Sequence, residues 1–327
     1  MTEDIVVRPA AGKRRALILL AGLGVFAYMG AALATDAGKL VGALQQLGWL
    51  GGGLVLLLSL VNYLLRFHRW TLYIAKLGHA VPTARHLLYY LCGFAFTVSP
   101  AKAGEAVRSV YLREHGVTYP ESIAALFVER LLDLLAMALL ASLIVLDQRT
   151  WWPLLVGAVT VTVGLLIVVG QPTVPQWIAG LAERRAGRIA RALAGIASLL
   201  RSSQRMLQPK LLIAGLALGV MAWGAEGIGF HLICEGLQID LGPAAATGIY
   251  AIAALAGGAA FFMPGGIGGM EVVMTTLLVA RGAPLPTAVI ATLLCRLATL
   301  WFAVLIGLVA AAILETQARS QPARSLP

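Results

Sequence analysis

Residues 263–271 read MPGGIGGME, and residues 99–105 read SPAKAGE. The first stretch interrupts an apolar run over 248–281, and the second interrupts a similar run over 86–115. Proline removes a backbone donor and glycine has a low helix propensity, so a helix does not continue easily through either break. We therefore predict that each run forms a re-entrant helical hairpin, which enters a bilayer and turns back at the break.

The composition of the whole chain requires a bilayer. Of its 327 residues, 59% are hydrophobic and only 12% are charged, and the mean hydropathy is +0.85. Soluble domains carry about twice this fraction of charged residues. The net charge of +10 does not indicate binding to nucleic acid, because the basic residues lie between apolar spans and form no continuous patch.

Six further apolar stretches are long enough to cross a membrane. They cover residues 16–34, 48–65, 122–146, 152–169, 211–233 and 287–314. Basic residues gather before the first stretch, after the second and after the fourth, which places these regions in the cytoplasm. The sequence thus predicts an all-α, polytopic protein of a bacterial cytoplasmic (inner) membrane. It forms a single domain over 1–327 with a membrane region over 16–314, and both termini are cytoplasmic.

A basic connector over 171–209 separates the fourth and fifth predicted spans. Within it, residues 177–207 combine apolar residues at helical spacing with six arginines. This pattern predicts one amphipathic helix that lies on the cytoplasmic surface, either as a simple connector or as a regulatory element.

The two hairpins belong to an internal repeat. Residues 95–134 and 261–300 share ten identities when they are aligned 166 positions apart. The rarest types among these pairs are Glu105 with Glu271, Gly116 with Gly282, Pro120 with Pro286, and Arg130 with Arg296. Three predicted spans separate the hairpins, so the second faces the opposite side and the repeat is inverted. Inverted repeats built around broken helices are typical of transporters.

The repeated acidic and basic residues are the main site candidates. A carboxylate at the depth of Glu105 or Glu271 costs about 2.5 to 3.5 kcal/mol unless it is compensated. Arg130 and Arg296, each 25 residues downstream, are the expected partners. These pairs either tie hairpin to span or let the arginines hold a lipid phosphate while the glutamates regulate that contact.

The glycines of the second break offer a further ligand site. The backbone at Gly265 and Gly266 can approach a phosphate closely, and the helix that follows presents its N-terminus. A tight turn between two half-helices needs the same residues. The sequence supports both interpretations.

Other charged residues fall inside or at the ends of spans. Glu129 and Asp133 share a span with Arg130, and Asp133 is three residues from Arg130, so these two are expected to satisfy each other. Glu226 either lines the pathway or pairs with an arginine elsewhere. An interfacial role, with side chains that contact lipid headgroups, is predicted for Arg66, Arg69 and Trp70.

Several of these motifs together resemble a known family. The motifs are SPAKAGEAVR over 99–108, ERLLDLL over 129–135, PGGIGGME over 264–271, the span with Arg296, and FHRW over 67–70. They resemble the lysylphosphatidylglycerol synthase transmembrane family, the flippase domain of the multiple peptide resistance factor. The resemblance implies two re-entrant hairpins and lipid flipping. It implies roles for Glu105, Arg108, Glu129, Arg130, Pro264, Gly265, Gly266, Glu271 and Arg296.

The chain departs from the bifunctional members of that family at its C-terminus. Those members continue into a soluble aminoacyl transferase domain, whereas only thirteen residues follow Leu314 here. We therefore expect no synthase domain and no aminoacylation by this chain alone. The cargo remains open among phospholipids and polyprenyl or hopanoid-type lipids.

The primary functional prediction is a lipid flippase or scramblase for an anionic lipid. Its expected partners are membrane lipids with anionic headgroups, with lipid-biosynthesis enzymes and a second copy of the chain as further candidates. A membrane glycosyltransferase or lipid-modifying enzyme is the alternative, and a non-catalytic partner of a lipid-synthesis complex is another. The sequence contains no Asp-x-Asp, GxSxG, HExxH or GxxxxGK[ST] motif, so we expect no enzyme activity, no cofactor and no metal.

Overall fold

The computed structural model describes residues 11–145, 152–259 and 266–320, and this part of the chain contains helices and no strand. The α-helices are α1 (Ala11–Lys76), α2 (Thr83–Phe94), α3 (Arg108–Leu112), α4 (Tyr119–Val145), α5 (Trp152–Gly170), α6 (Thr173–Glu183), α7 (Gly187–Met206), α8 (Pro209–Gly236), α9 (Pro243–Ala259), α10 (Gly269–Ala280), α11 (Leu285–Arg296) and α12 (Phe302–Ser320). A 3-10 helix over Pro100–Val107 precedes α3, and a π-helix over Leu297–Trp301 joins α11 to α12. The all-α prediction is confirmed for these residues.

The described helices support a multi-pass membrane protein. Three stretches are long and apolar enough to cross a membrane, namely Leu44–Lys76, Pro209–Gly236 and Leu285–Gln317. A fourth arises if Leu155–Gly170 and Thr173–Glu183, bent by 65°, form one span. Six spans were predicted, and the difference comes partly from α4, where three charged residues fall within five positions.

Helix α1 is longer than the sequence suggests. The connection predicted over 35–47 has helical backbone, so the first two predicted spans belong to one 66-residue helix. Gly48 interrupts its regular geometry with φ of +67°. At its other end, the helix continues from the predicted boundary at Leu65 as far as Lys76. Residues near position 66 therefore lie inside the helix and not at its end.

The predicted break at 99–105 is present. Helix α2 ends at Phe94, turns follow, and the 3-10 helix begins at Pro100. The hydroxyl of Ser99 accepts a hydrogen bond of 2.6 Å from the backbone N–H of Gly104, which closes the turn. Of the second break, residues 263–265 lie outside the described part of the chain.

Corresponding turns recur at the predicted repeat distance. Gly116 has φ of +80° and Gly282 has φ of +92°, and each ends the helix before it with a left-handed residue. Next to them, Val117 N–H donates to the Leu112 carbonyl and Ala283 N–H donates to the Leu278 carbonyl. The next helices, α4 and α11, begin at positions 119 and 285, again 166 apart.

The correspondence extends to α1 and α8 at a different offset. At the end of α1, His79 N–H donates to the Ile74 carbonyl, and at the end of α8, Ile239 N–H donates to the Cys234 carbonyl. These positions are 160 apart, so one alignment at 166 misses them. We refer to α1–α4 as the first half and to α8–α12 as the second half.

Each half packs one of its short helices against a long helix of the other half, and we call these the exchanged contacts. Helix α1 packs on α8, while α2 packs on α12 and α9 packs on α4. Glycine permits both exchanged contacts. A Cβ atom on Gly307 would overlap the backbone of Ala95, and one on Gly248 would lie 2.7 Å from the Cβ of Ile144. This mutual packing encloses the space between the halves.

The basic connector consists of two helices instead of one. Helices α6 and α7 are separated by a turn at 184–186 and pack on each other. Ala197, Ser203 and Met206 of α7 are buried, whereas Arg188 and Arg191 are exposed. Arg205 donates to the carbonyls of Lys76 and Leu77 at 3.4 and 3.3 Å. This contact satisfies carbonyls at the end of α1 and holds α7 against it.

Candidate functional site: an arginine-lined cavity between the halves

A cavity of about 270 Å³ lies between the two halves. Its charged lining residues are Arg66 of α1, Arg130 and Asp133 of α4, Glu226 of α8 and Arg296 of α11. Three positive and two negative side chains thus face one space inside a largely apolar protein. Ionisable groups in such a position usually mark a pathway or a binding site.

The lining follows the internal repeat. Of the twenty described residues that line the cavity, sixteen form eight pairs of corresponding positions. Four pairs are 160 apart: Tyr63 with Trp223, Arg66 with Glu226, Phe94 with Ala254, and Thr97 with Gly257. Four pairs are 166 apart: Arg130 with Arg296, Asp133 with Thr299, Leu134 with Leu300, and Met137 with Ala303. The cavity therefore lies where a two-fold relation between the halves would place it.

In the first half, a dense cluster of charges forms part of the cavity wall and continues behind it. It contains four arginines and three carboxylates, which are Arg66, Arg69, Arg108, Arg130, Glu105, Glu129 and Asp133. All except Arg130 are almost fully buried. The named groups carry one more positive than negative charge when all are ionised. The Glu226 carboxylate, which lines the same cavity, balances this charge when it is ionised.

Glu129 is the centre of this cluster. Its Oε1 accepts a hydrogen bond of 3.1 Å from the Tyr90 hydroxyl and lies 3.5 Å from Nη2 of both Arg66 and Arg69. Its Oε2 accepts from Arg108 Nη1 at 3.3 Å. Arg108 also stacks on the Tyr90 ring, with its guanidinium carbon 4.2 Å from the ring centroid. These contacts fix the positions of the guanidinium groups.

Arg130 connects the cluster to the cavity. Its Nη2 lies 3.6 Å from Glu105, 3.3 Å from Glu129 and 3.3 Å from Asp133, which confirms the predicted pairs with Glu105 and Asp133. Its side chain is 26% exposed, far more than its carboxylate partners. Arg130 is therefore the arginine of the cluster that a ligand in the cavity can reach most directly.

The second half contains the other predicted ion pair. Arg296 Nε donates to Glu271 Oε1 at 2.8 Å, which confirms the pairing. Glu271 Oε2 accepts a second hydrogen bond of 2.7 Å from the N–H of Gly268, at the start of α10. The carboxylate thus occupies a position between a guanidinium and a helix N-terminus. Both groups are typical anion ligands.

A π-helix follows Arg296 directly. The backbone carbonyl of Thr299 in this segment accepts a hydrogen bond of 2.7 Å from the Tyr63 hydroxyl of α1. Such single-turn π segments occur often at functional sites. Here the segment joins α1 to the second half at the cavity wall.

Glu226 and Glu129 each accept a hydrogen bond from a tyrosine. The Tyr250 hydroxyl donates to Glu226, as the Tyr90 hydroxyl donates to Glu129, and the two tyrosines are 160 positions apart. Glu226 lines the cavity, which agrees with one of its two predicted roles. Its position corresponds to Arg66, so the two halves present opposite charges at equivalent places.

The remaining site candidates differ in their relation to the cavity. Gly266 lines it, whereas Gly265 and Pro264 lie outside the described residues. Glu105, Arg108 and Glu129 do not line it but contact Arg130 or one another. Glu271 lies behind Arg296, away from the lining.

The prediction of an interfacial role for Arg66, Arg69 and Trp70 is wrong. Arg69 and Trp70 are 0% and 1% exposed, and Arg69 Nη2 contacts Asp133 Oδ1 at 2.5 Å. The cause is the length of α1, which continues to Lys76 and carries these residues into the protein interior. Arg66 lines the cavity, where its guanidinium carbon lies 5.2 Å from the Trp223 ring centroid.

Sequence reasoning missed the structural importance of Asp133 and the aromatic lining. Asp133 Oδ1 also accepts a hydrogen bond of 3.0 Å from Trp223 Nε1, across the two halves. Charge balance was the signal that could have revealed the role of Asp133. Glu105, Glu129 and Asp133 carry three negative charges, and only Arg130 was assigned to neutralise them. Arg66 and Arg69, three apart on one helix face, are the missing partners.

These features define an all-helical, multi-pass membrane protein with a charged cavity between two similar halves. A family model, the lysylphosphatidylglycerol synthase TM region, matches residues 16–307. The chain belongs to this family, and the predicted resemblance is confirmed. Membership indicates a lipid-related function in a membrane. A comparison with curated proteins found no match.

Proposed function

We propose that this protein is a flippase or scramblase that moves a lipid with an anionic headgroup across a bacterial cytoplasmic membrane. The observation that carries the proposal is the cavity, which holds Arg66, Arg130 and Arg296 on walls contributed by both halves. A headgroup that crosses a bilayer needs a polar route shielded from hydrocarbon, and these arginines offer one. Phospholipids and polyprenyl or hopanoid-type lipids are the candidate cargo.

The charges of the site favour an anion. The cavity lining presents three arginines and two carboxylates. Arginine binds phosphate through a planar fork of donors, which suits it to headgroup recognition. The hydroxyl of Thr97 and the rings of Tyr63 and Trp223 complete a lining that suits a partly polar ligand.

The Glu271 carboxylate acts as a resident anion in this proposal. It takes hydrogen bonds from Arg296 and Gly268, which are the donors a phosphate would use. A lipid phosphate that displaces it gains both donors, and the return of the carboxylate releases the lipid. Competition of this kind prevents tight trapping of the cargo.

The internal repeat supports alternating access. We propose that the two halves are an inverted repeat of re-entrant hairpins within six spans, with both termini in the cytoplasm. The exchanged packing of α2 on α12 and of α9 on α4 is the arrangement such a repeat would produce. The cavity between the halves could then open to one leaflet and the other in turn.

We propose transport without covalent chemistry. The polar groups of the cavity are arginines, carboxylates and hydroxyls that bond one another, an arrangement suited to holding a headgroup. Incubation of the purified protein with sugar nucleotides and lipid acceptors tests this point, and formation of a product would overturn it.

A liposome assay tests the transport proposal. Vesicles contain phosphatidylglycerol with a fluorescent label on its headgroup side, and a membrane-impermeant quencher reports the outer-leaflet fraction. Arg296→Ala should slow flipping roughly 10 to 100-fold, because a charge-assisted hydrogen bond contributes about 1.5 to 3 kcal/mol. Arg85→Ala removes an exposed arginine and should leave the rate unchanged. Wild-type rates in Arg296→Ala and Glu271→Gln would exclude these residues from the mechanism.

A further inference from the structure

A second opening lies on the outer surface of the second half. It is a groove of about 460 Å³ on α10 and α11. Besides Glu271, it is lined by Val272, Thr275, Thr276, Val279, Leu285 and Val289. Val272 is 65% exposed and Leu285 is 60% exposed, so apolar side chains face outward along the groove. A groove of this kind on a membrane-embedded surface is suited to a hydrocarbon chain.

The Glu271–Arg296 ion pair stands between this groove and the cavity. Glu271 lines the groove, Arg296 lines the cavity, and their side chains meet at 2.8 Å. Glu271 retains 18% of its side-chain exposure. A movement of the Glu271 carboxylate away from Arg296 would therefore join an apolar surface groove to an arginine-lined interior.

The first half has different side chains at the corresponding positions. Positions 113 and 119 correspond to Val279 and Leu285 at the offset of 166, and they hold Arg113 and Tyr119. The Arg113 guanidinium lies 4.9 Å from the Tyr119 ring centroid, so these side chains cover each other. Glu105, which corresponds to Glu271, is only 1% exposed. The groove is thus a property of the second half and not of the repeat as such.

We propose that this groove is the lateral portal through which a lipid reaches the cavity. The occupant is an acyl chain of a lipid with an anionic headgroup. The chain lies along Val272, Val279 and Leu285 while its phosphate replaces the Glu271 carboxylate on Arg296. Charge complementarity selects this occupant, because Arg296 stands directly behind the Glu271 carboxylate and needs another anion when that carboxylate moves aside. The inference rests on the proposed transport function for its purpose, but its occupancy can be measured separately.

Photo-crosslinking measures that occupancy directly. The full-length protein is reconstituted in vesicles that contain phosphatidylglycerol with a diazirine in one acyl chain, and labelled peptides are identified by mass spectrometry. A parallel sample uses the same acyl chain on phosphatidylcholine. We expect the ratio of anionic to zwitterionic labelling to be several-fold higher at 272–289 than around the exposed residue Ile213 on α8. Equal ratios at the two places would overturn the proposal.

Two variants separate the portal from ordinary contact with the bilayer. Thr276→Trp places a large side chain in the groove and should lower both groove labelling and the flipping rate, the latter by about tenfold. Ile213→Trp is the matched control on an exposed helix face, and it should change neither. Wild-type labelling and flipping in Thr276→Trp would overturn the proposal. Arg296→Ala should abolish the preference for the anionic probe, and a retained preference would count against the portal.

The outcomes distinguish this inference from the function it serves. If the wild-type protein labels selectively in the groove but moves no lipid, the transport proposal fails and the lipid site stands. If the wild-type protein moves lipid while the groove shows no anionic preference, the portal fails and transport stands.

Discussion

Replacement of Asp133 with alanine tests whether the buried charge cluster of the first half is a fixed scaffold. Asp133 contacts Arg69 at 2.5 Å, accepts a hydrogen bond from Trp223 at 3.0 Å, and lies 3.3 Å from Arg130. Arg69 is fully buried, so it has no route to water when this partner is removed. The substitution therefore leaves a buried guanidinium with weaker compensation.

The expected loss of stability is large. Breaking a buried ion pair by removing one partner costs about 3 to 5 kcal/mol. Arg69 keeps a contact of 3.5 Å with Glu129 and one of 3.4 Å with the Gly215 carbonyl, which favours the lower end of this range. At a few degrees per kcal/mol, we expect the Tm to fall by about 10 °C.

The three cysteines provide the assay. Cys92, Cys234 and Cys295 are buried thiols, so a thiol-reactive dye that fluoresces on coupling reports unfolding in detergent. Asp240→Ala is the control, because Asp240 is exposed and its removal should change stability by no more than about 0.5 kcal/mol. If Asp133→Ala melted with the same Tm as Asp240→Ala, the cluster would not be a scaffold.

Three further substitutions can be measured with the same dye. Gly307→Ala introduces a Cβ atom that overlaps the backbone of α2 and should lower the free energy of unfolding by about 3 kcal/mol. Gly157→Ala is its control, because the new Cβ atom meets no atom within 4 Å and should leave stability unchanged or raise it. Tyr250→Phe removes a hydrogen bond to the buried carboxylate of Glu226 and should cost about 1 to 3 kcal/mol; an unchanged Tm would show that this bond contributes nothing. Arg205→Ala removes the donors to the end of α1 and should lower the free energy of unfolding by about 0.5 to 1 kcal/mol. Amide hydrogen exchange should become faster at that helix end and nowhere else. Unchanged exchange there would contradict the capping role.

Sequence alone predicted the ion pairs between hairpin and following helix. Charged residues are rare in this apolar chain, and each must be compensated when it is buried. Glutamate and arginine recur at a separation of 25 in both repeats, which made these arginines the expected partners. The structure adds Arg108 as a closer partner of Glu105, at 2.5 Å. The structure brings Glu105 to 3.6 Å from Arg130 and Glu271 to 2.8 Å from Arg296.

The sequence did not reveal where α1 ends. For this reason Arg66, Arg69 and Trp70 were predicted to lie at the membrane interface, whereas they are buried in the protein. Arginines and tryptophan after an apolar run have the composition of a membrane-interface belt. The same composition fits a helix that continues inside the protein, where acidic residues of α4 neutralise the arginines. At 1.5 Å per residue, the eleven residues from Leu65 to Lys76 add roughly 16 Å of helix. Only the three-dimensional partners distinguish the two cases.

The extent of the repeat was also hidden, for a reason that bears on function. The corresponding positions are 160 apart up to Thr97 and Gly257, but 166 apart from Glu105 and Glu271 onward. The second half therefore holds six additional residues between these points, and this segment is rich in glycine. Gly266, at its end, lines the cavity with φ of +65°. A Cβ atom there would lie 2.7 Å from the Gly257 carbonyl oxygen.

This local difference gives Glu105 and Glu271 different environments in two similar halves. The shorter break of the first half leads directly into a 3-10 helix whose Glu105 and Arg108 are locked at 2.5 Å. The longer break of the second half leaves Glu271 at the start of α10, partly exposed and facing the groove. If the six extra residues create the portal, a variant with a shorter break in the second half should lack the groove. The arginines that line the cavity should keep their positions in that variant. The first half, with its network of seven charged groups, would then provide the rigid surface against which the second half moves.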